Sequence, residues 1–377
     1  MGSIGQNIFS TPPKDLHRWP AKVISTLTGG HVDNDSTVSV RYNGRCFCIH
    51  MSPRFLRNSP KATTLYLKYL QAIQPDGPGA FEEVYEEDVY EWIVGLFLPI
   101  FMRLAPEPLP SFDPDRIRSG EAKPALSEYL SPETFGCRLE AVDETFFPLH
   151  TDDHGGLVAS GTWLNGETLD DIETWARFFE PLEVEVYFAN AEHALERMPT
   201  IVKVGLDGLQ RTTTCFFKAF LGLGIPGGPL NRELDVYKNI HTSDLSEDVS
   251  VGRLVGVAYE HRRDSAVGLL LRYVDHQGTL HDAIQDNPRV ELRKKWAAQI
   301  DKAVHELHRI GSVWGDAKPG NILIDKQDNA WITDFEGGYT PGWVDPDKAG
   351  TVEGDVQGLE RIIRFIFEGP DIIYELR

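Results

Sequence analysis

The stretch LRKKWAAQIDKAVHELHRIGSVWGDAKPGNILIDKQDNAWITDF, residues 292–335, constrains this chain more than any other. Trp296, Ile300, Val304 and Leu307 recur near helical spacing, which predicts an amphipathic helix ended by Gly311. ILID at 322–325 and AWIT at 330–333 read as two short strands joined by the polar turn Lys326 to Asn329. A helix, a polar loop and a hairpin in this order gather Asp316, Lys318 and Asn321 at the hairpin's open end. If Asp325 faces Ala330, Asn321 falls opposite Asp334, and an amide meets a carboxylate. Hard divalent cations such as Mg²⁺ prefer oxygen ligands, usually one or two carboxylates plus substrate phosphates. Asn321 and Asp334 are therefore the candidate metal seat. Asp316 is placed to accept a proton from, or orient, an attacking hydroxyl, and Lys318 to neutralise charge on a phosphoryl group in flight. The bland alternative is a polar loop closed by an Asx turn.

Upstream, from about Pro199, TIVKVGL and TTTCFFKAF read as strands, RELDVYKNI as a short helix and VGLLLRYVD as a buried strand. Glu233 shares a helix face with Val236, Tyr237 and Ile240, whereas Asp235 points elsewhere. A glutamate on an apolar face needs a cation, and Lys218 in CFFKAF is the natural partner. The plainer readings are a solvated glutamate and an edge lysine lying over apolar neighbours.

The rest of the chain gives coarser signals. Residues 1 to about 35 are polar and proline-dotted, and read as loose at the start. Asn43-Gly44 between two alternating runs predicts a hairpin. FEEVYEEDVYEWIVGLFLPIF predicts an amphipathic helix, RLAPEPLPSFDPD a stiff connection, and GTWLNGETLDD, at 161–171, a loop. Cys46, Cys48 and His50 share a strand face without a fourth ligand at sensible spacing, so packing is expected there rather than zinc. His305 and His308 read as helix-face or structural residues.

Composition excludes several classes. With 377 residues, 41% of them hydrophobic and 25% charged, the chain has material for a real core in two or three units. A formal charge of −20, from 57 acids against 37 bases, argues against nucleic acid as a partner. Only four cysteines occur, which suits a reducing compartment, and a cytoplasmic location is the expectation. The most apolar segment, Ile93 to Met102, is ten residues long, and a bilayer crossing needs roughly 20. No membrane partner is expected.

GDAKPGNILID followed by ITDFEGG resembles the catalytic and metal-binding loops of the protein-kinase-like superfamily. The resemblance implies an α+β, bilobal protein-kinase-like fold. Its parts would be a small β-rich upper lobe over 196–275, a reduced, mainly helical lower lobe over 276–377, and an N-terminal α/β extension over 1–195. It implies transfer of the γ-phosphoryl of Mg-ATP to a hydroxyl acceptor, most like a serine/threonine protein kinase, with Asp316 and Lys318 catalytic and Asn321 and Asp334 on the metal. Lys218 would contact the α- and β-phosphates with Glu233 as its partner. GLDGLQR would cover the phosphates through Gly205 and Gly208. Leu271 and Tyr273 belong to the implied strand and hinge where main-chain groups read adenine. Asp355 matches the aspartate that braces the catalytic loop, and its plainer reading is a helix N-cap.

Departures at three places qualify the resemblance: before Asp316, in the glycine loop, and after Asp334. Trp314-Gly315 stands where most protein kinases have histidine-arginine, so control by loop phosphorylation is not expected. A glycine at that position looks like aminoglycoside and choline kinases. GLDGLQR is a thinned glycine loop, and Glu336 replaces the first glycine of the metal loop. The segment after Asp334 is also short. These features keep two alternatives open: a pseudokinase acting as a nucleotide-binding or scaffolding module, and a small-molecule kinase. The region before residue 196 looks like the front extension of fungal kinase-like proteins.

Overall fold

The computed structural model describes residues 6–7, 21–28, 34–74, 80–81, 84–152, 166–206, 211–220, 229–262 and 265–369. The chain is mixed α+β. It divides into two compact units, residues 1–160 with 182–202, and residues 161–181 with 203–377.

The first unit is built on a six-stranded sheet. Its strands are β1 (Gln6–Asn7), β2 (Ala21–Thr28), β3 (Ser36–Tyr42), β4 (Arg45–Arg57), β5 (Thr134–Val142) and β6 (Thr145–Thr151), in the order β1-β6-β5-β4-β3-β2. The Asn43-Gly44 turn joins β3 to β4, and both residues have positive φ, as a two-residue hairpin turn requires. β4 and β5 run parallel, because α1 (Pro60–Ala72) and α2 (Glu86–Leu104) lie between them in sequence. Phe47, Ile49 and Met51 on β4 meet Tyr66 and Leu70 of α1 and Ile93, Phe97 and Phe101 of α2 in one apolar core. Later in the polar N-terminal segment, Ala21–Thr28 is a strand, paired along β3 from Ala21↔Tyr42 to Thr28↔Ser36. The four cysteines are buried and free, and His50 Nδ1 lies 3.3 Å from Thr37 Oγ1. No described helix is long and apolar enough to cross a membrane.

The second unit contains α3 (Gly166–Glu173), where a loop was expected over 161–171; residues 161–165 lie outside the described part. Ile172 is buried and Leu169 packs against the same core, so an apolar stripe overrides the loop-like composition of GETLDD. A sheet follows from β7 (Phe178–Phe179), β8 (Ile201–Gly205), β9 (Thr212–Ala219), β10 (Leu254–Glu260) and β11 (Ser265–Arg272), ordered β8-β9-β11-β10-β7. Against it lies α4 (Pro229–Thr242), with Glu233, Val236, Tyr237 and Ile240 all buried. The remaining elements are β12 (His276–Thr279), α5 (Leu280–Gln285), α6 (Val290–Arg309), the hairpin β13 (Ile322–Asp325) and β14 (Ala330–Ile332), and α7 (Val352–Glu368). Trp296, Ile300, Val304 and Leu307 of α6 are buried in the core that also holds Ile322, Ile324, Ile332 and Phe365.

The hairpin register differs from the sequence expectation by one residue. Ala330 pairs with Ile324, not with Asp325, so Asn321 faces Thr333, whose amide donates to the Asn321 carbonyl at 3.0 Å. The cause is the turn. Asp328 adopts the left-handed conformation (φ 57°) and closes a three-residue loop where four residues were expected. The Asp325 carboxylate holds that loop by accepting from the amides of Gln327 and Asn329 and from the Trp331 indole N–H.

Candidate active site

The polar loop between α6 and β13 is held from below by α7. Asp355 is not the N-cap of that helix: Thr351 is, accepting from the Gly354 amide at 3.0 Å. Asp355, 1% exposed, instead accepts from the amides of Trp314 (2.7 Å) and Gly315 (2.8 Å), and from His308 Nε2 at 2.8 Å. The Trp314 indole N–H donates to the Thr333 carbonyl at 2.9 Å, tying the loop to the end of β14. Gly315 has φ 91°, and a Cβ there would fall 2.9 Å from the Cα of Gly337. Only glycine fits that close approach, which gives a steric reason for the Trp314-Gly315 pair.

The loop's functional groups form a closed set. Lys318 Nζ donates to Asp316 Oδ2 at 2.5 Å and to Thr340 Oγ1 at 2.9 Å, and the Thr340 hydroxyl donates to Asp316 Oδ1 at 2.9 Å. Asn321 Nδ2 donates to the Asp316 carbonyl at 3.0 Å and approaches its carboxylate at 3.3 Å. Thr340 was not singled out from the sequence. It lies in GGYTPGW, where no local pattern marks it, and only the return of the segment after Asp334 brings it to Asp316.

A second cluster surrounds Lys218 on β9. Its Nζ lies 3.0 Å from Glu233 Oε2, 2.7 Å from Asp334 Oδ1 and 3.0 Å from Glu336 Oε1. Burial alone would lower the Lys218 pKa, but the three carboxylates outweigh it and hold the ammonium above its ordinary value. Burial pushes Glu233 up to about 7, against the opposing pull of Lys218. Asp334 has φ 64°, a left-handed conformation rare for a non-glycine residue, at the point where the chain leaves the hairpin.

The Lys218 cluster borders a cavity of about 340 Å³, lined among others by Lys218, Glu233, Leu271, Tyr273, Asn321 and Asp334; Asn321 is the member of the Asp316 set that reaches it, and Asp316 and Lys318 are not among its lining residues. Asn321 and Asp334 thus share a cavity wall despite the shifted register. The Tyr237 hydroxyl, buried and without a hydrogen-bond partner, belongs to the same wall. Of the remaining candidates, Gly205 ends β8 and Gly208 lies outside the described residues. The glycine-rich segment at 222–228 also lies outside them.

The donor set suits a hard cation. Asn321 turns its Nδ2 toward Asp316, its Oδ1 accepts no hydrogen bond among the described residues, and Asp334 adds a carboxylate whose side chain is 44% exposed. An amide oxygen and a carboxylate oxygen on one wall are ligands of the kind Mg²⁺ takes when phosphates complete its shell.

No family model matches the chain. Among curated proteins, it is 25% identical over 149 residues to NUAK family SNF1-like kinase 1 of Mus musculus, covering 39% of this chain and 22% of the relative. It is 34% identical over 95 residues to serine/threonine-protein kinase Sgk2 of Homo sapiens, covering 25% and 26%. It is 37% identical over 84 residues to serine/threonine-protein kinase vps15 of Schizosaccharomyces pombe, covering 22% and 5%. The chain thus spans about a quarter or less of the length of these relatives. At this coarse level it is similar, in part of its length, to serine/threonine protein kinases.

Proposed function

We propose that the chain is an ATP-dependent phosphotransferase that moves the γ-phosphoryl of Mg-ATP to a hydroxyl acceptor in the manner of a serine/threonine protein kinase. The observation that carries this reading is the closed set Asp316–Lys318–Thr340, linked through Asn321 to a cavity that also presents the Lys218 ammonium. In this reading residues 196–275 grip the nucleotide and residues 276–377 carry the transfer machinery.

Leu271 and Tyr273 flank the base, and Lys218, braced by buried Glu233, meets the α- and β-phosphates. Asn321 and Asp334 would hold Mg²⁺, which when bound neutralises phosphate charge and fixes the triphosphate. Asp316 orients the acceptor hydroxyl and takes its proton. The acceptor oxygen then forms its bond to the γ-phosphorus as the bond from that phosphorus to the bridging oxygen breaks, and ADP leaves with the electron pair. Lys318 offsets charge on the phosphoryl oxygens during transfer. Thr340 fixes the rotamers of both residues, so little reorganisation is needed at the moment of reaction.

One observation favours a second reading. Glu336 engages Lys218 at 3.0 Å, which is what a nucleotide-binding module with poor turnover would tolerate. Phosphoryl transfer separates the two. Wild type should show Mg²⁺-dependent ATP binding by thermal shift and transfer to a hydroxyl acceptor, and Asp316→Asn should lower transfer by about 10²–10⁴-fold while nucleotide binding persists. Binding without transfer to protein, small-alcohol or amino-sugar acceptors would favour the module. Transfer to small alcohols or amino sugars alone would make it a small-molecule kinase.

A further inference from the structure

We propose that Glu336 restricts the cleft to the nucleotide's divalent-cation complex and shuts out the free triphosphate. The proposal rests on the reading of the cavity as a nucleotide site, and names a residue that decides which form of the nucleotide enters.

The argument is one of charge balance. Lys218 is a single ammonium facing the three carboxylates of Glu233, Asp334 and Glu336, all within 3.0 Å. Glu233 is buried at 0% exposure and belongs to the helix face that packs α4 onto the core, so it cannot leave. Asp334 and Glu336 are each 44% exposed in their side chains and sit on the segment that follows the hairpin. The cluster therefore carries more negative than positive charge where a triphosphate would have to dock.

Glycine at position 336 would leave Lys218 to Glu233 and Asp334, and one carboxylate fewer would face the phosphates. With Glu336 present, free ATP meets two half-exposed carboxylates and a lysine already engaged. Near a protein surface, unit charges at contact distance change an equilibrium by orders of magnitude, and half exposure with salt screening reduces this to about tenfold. A divalent cation carried in with the phosphates reverses the sign: the same carboxylates then attract the incoming complex. A neutral ligand such as adenosine is indifferent to Glu336.

The test is calorimetric binding of adenosine, of ATP with excess chelator, and of ATP with Mg²⁺. It is made on wild type, Glu336→Gln and Glu336→Gly, with Glu353→Gln as a control that removes the same charge from an exposed site on α7. Wild type should bind adenosine equally with and without Mg²⁺, and free ATP at least tenfold more weakly than Mg-ATP. Both Glu336 variants should narrow that gap to about threefold by gaining affinity for free ATP, while Glu353→Gln keeps the wild-type gap. The proposal is overturned if the Glu336 variants bind free ATP no better than wild type, or if Glu353→Gln matches them. Two unlike substitutions guard against one that disturbs folding. If no form binds adenosine, the nucleotide reading of the cavity itself falls; adenosine binding with an unchanged gap rejects only the role of Glu336.

Discussion

The two polar clusters of the second unit are built on opposite plans. Around Asp316 the charges balance: one carboxylate meets one ammonium, and a hydroxyl and an amide donate to the same carboxylate, leaving one acceptor site on Oδ1 open. Around Lys218 they do not, since three carboxylates share one ammonium. A balanced cluster is complete in the unliganded chain and serves to position. An unbalanced one stores repulsion that an incoming cation relieves. In the proposed reading the first serves geometry and the second recognition.

The largest effect expected from breaking this contrast is at Lys218. Lys218→Met leaves Glu233 buried without a cation, and removing one partner of a buried pair costs about 3–5 kcal/mol. Urea denaturation should register that loss, and adding Glu233→Gln should recover part of it. A single variant as stable as wild type would mean that the ammonium does not support the buried acid. Next is Gly315→Ala, which places a Cβ 2.9 Å from Gly337 at φ 91°. Strain and displacement together should remove about 1–3 kcal/mol, with transfer falling as the Trp314 and Gly315 amides move off Asp355.

A smaller effect is expected in the balanced cluster. Thr340→Val removes one hydrogen bond to Asp316 and one from Lys318, and should lower kcat about tenfold with nucleotide affinity unchanged, whereas Thr340→Ser should retain wild-type kcat. An equal loss in both variants would assign Thr340 to packing rather than to positioning. The smallest effect is a pH dependence. Glu233 is raised from its model-compound value of 4.5 to about 7, so the folded chain binds its proton more tightly than the unfolded chain does. The stability this residue contributes is fully present below about 4.5 and is lost as pH rises through about 7. Lys218, raised as well, loses its contribution only above its ordinary value of 10.5, outside that window. The difference in urea midpoint between wild type and Glu233→Gln should therefore fall from pH 5 to 7 and level off by pH 8. A flat difference would place Glu233 in a fully compensated pair.

Elements with a strong local period were legible in the sequence. α6 and α4 follow from the spacing of Trp296, Ile300 and Val304 and of Glu233, Tyr237 and Ile240, because helix faces depend only on near neighbours. The approach of Lys218 to Glu233 was legible too, since an acid on an apolar face has few ways to be satisfied. What escaped depends on detail or distance. The hairpin register turned on one left-handed residue, Asp328, which is indistinguishable in sequence from its polar neighbours. Thr340, the indole bond of Trp314 and the contact of His308 with Asp355 arise only when separate segments meet. α3 was hidden because its polar face dominates its composition while Ile172 alone is fully buried.

The buried carboxylate of Asp355 also bears on how the chain reaches its folded state. Two amides of the loop that carries Asp316 donate to this carboxylate, which belongs to a helix that a ribosome makes some forty residues later. Buried amides left unpaired are strongly disfavoured, so the loop cannot take its working shape until α7 has docked. In the proposed reading the loop would become competent only after α7 docks, and a nascent chain interrupted before residue 352 would carry Asp316, Lys318, Asn321 and Asp334 without that brace.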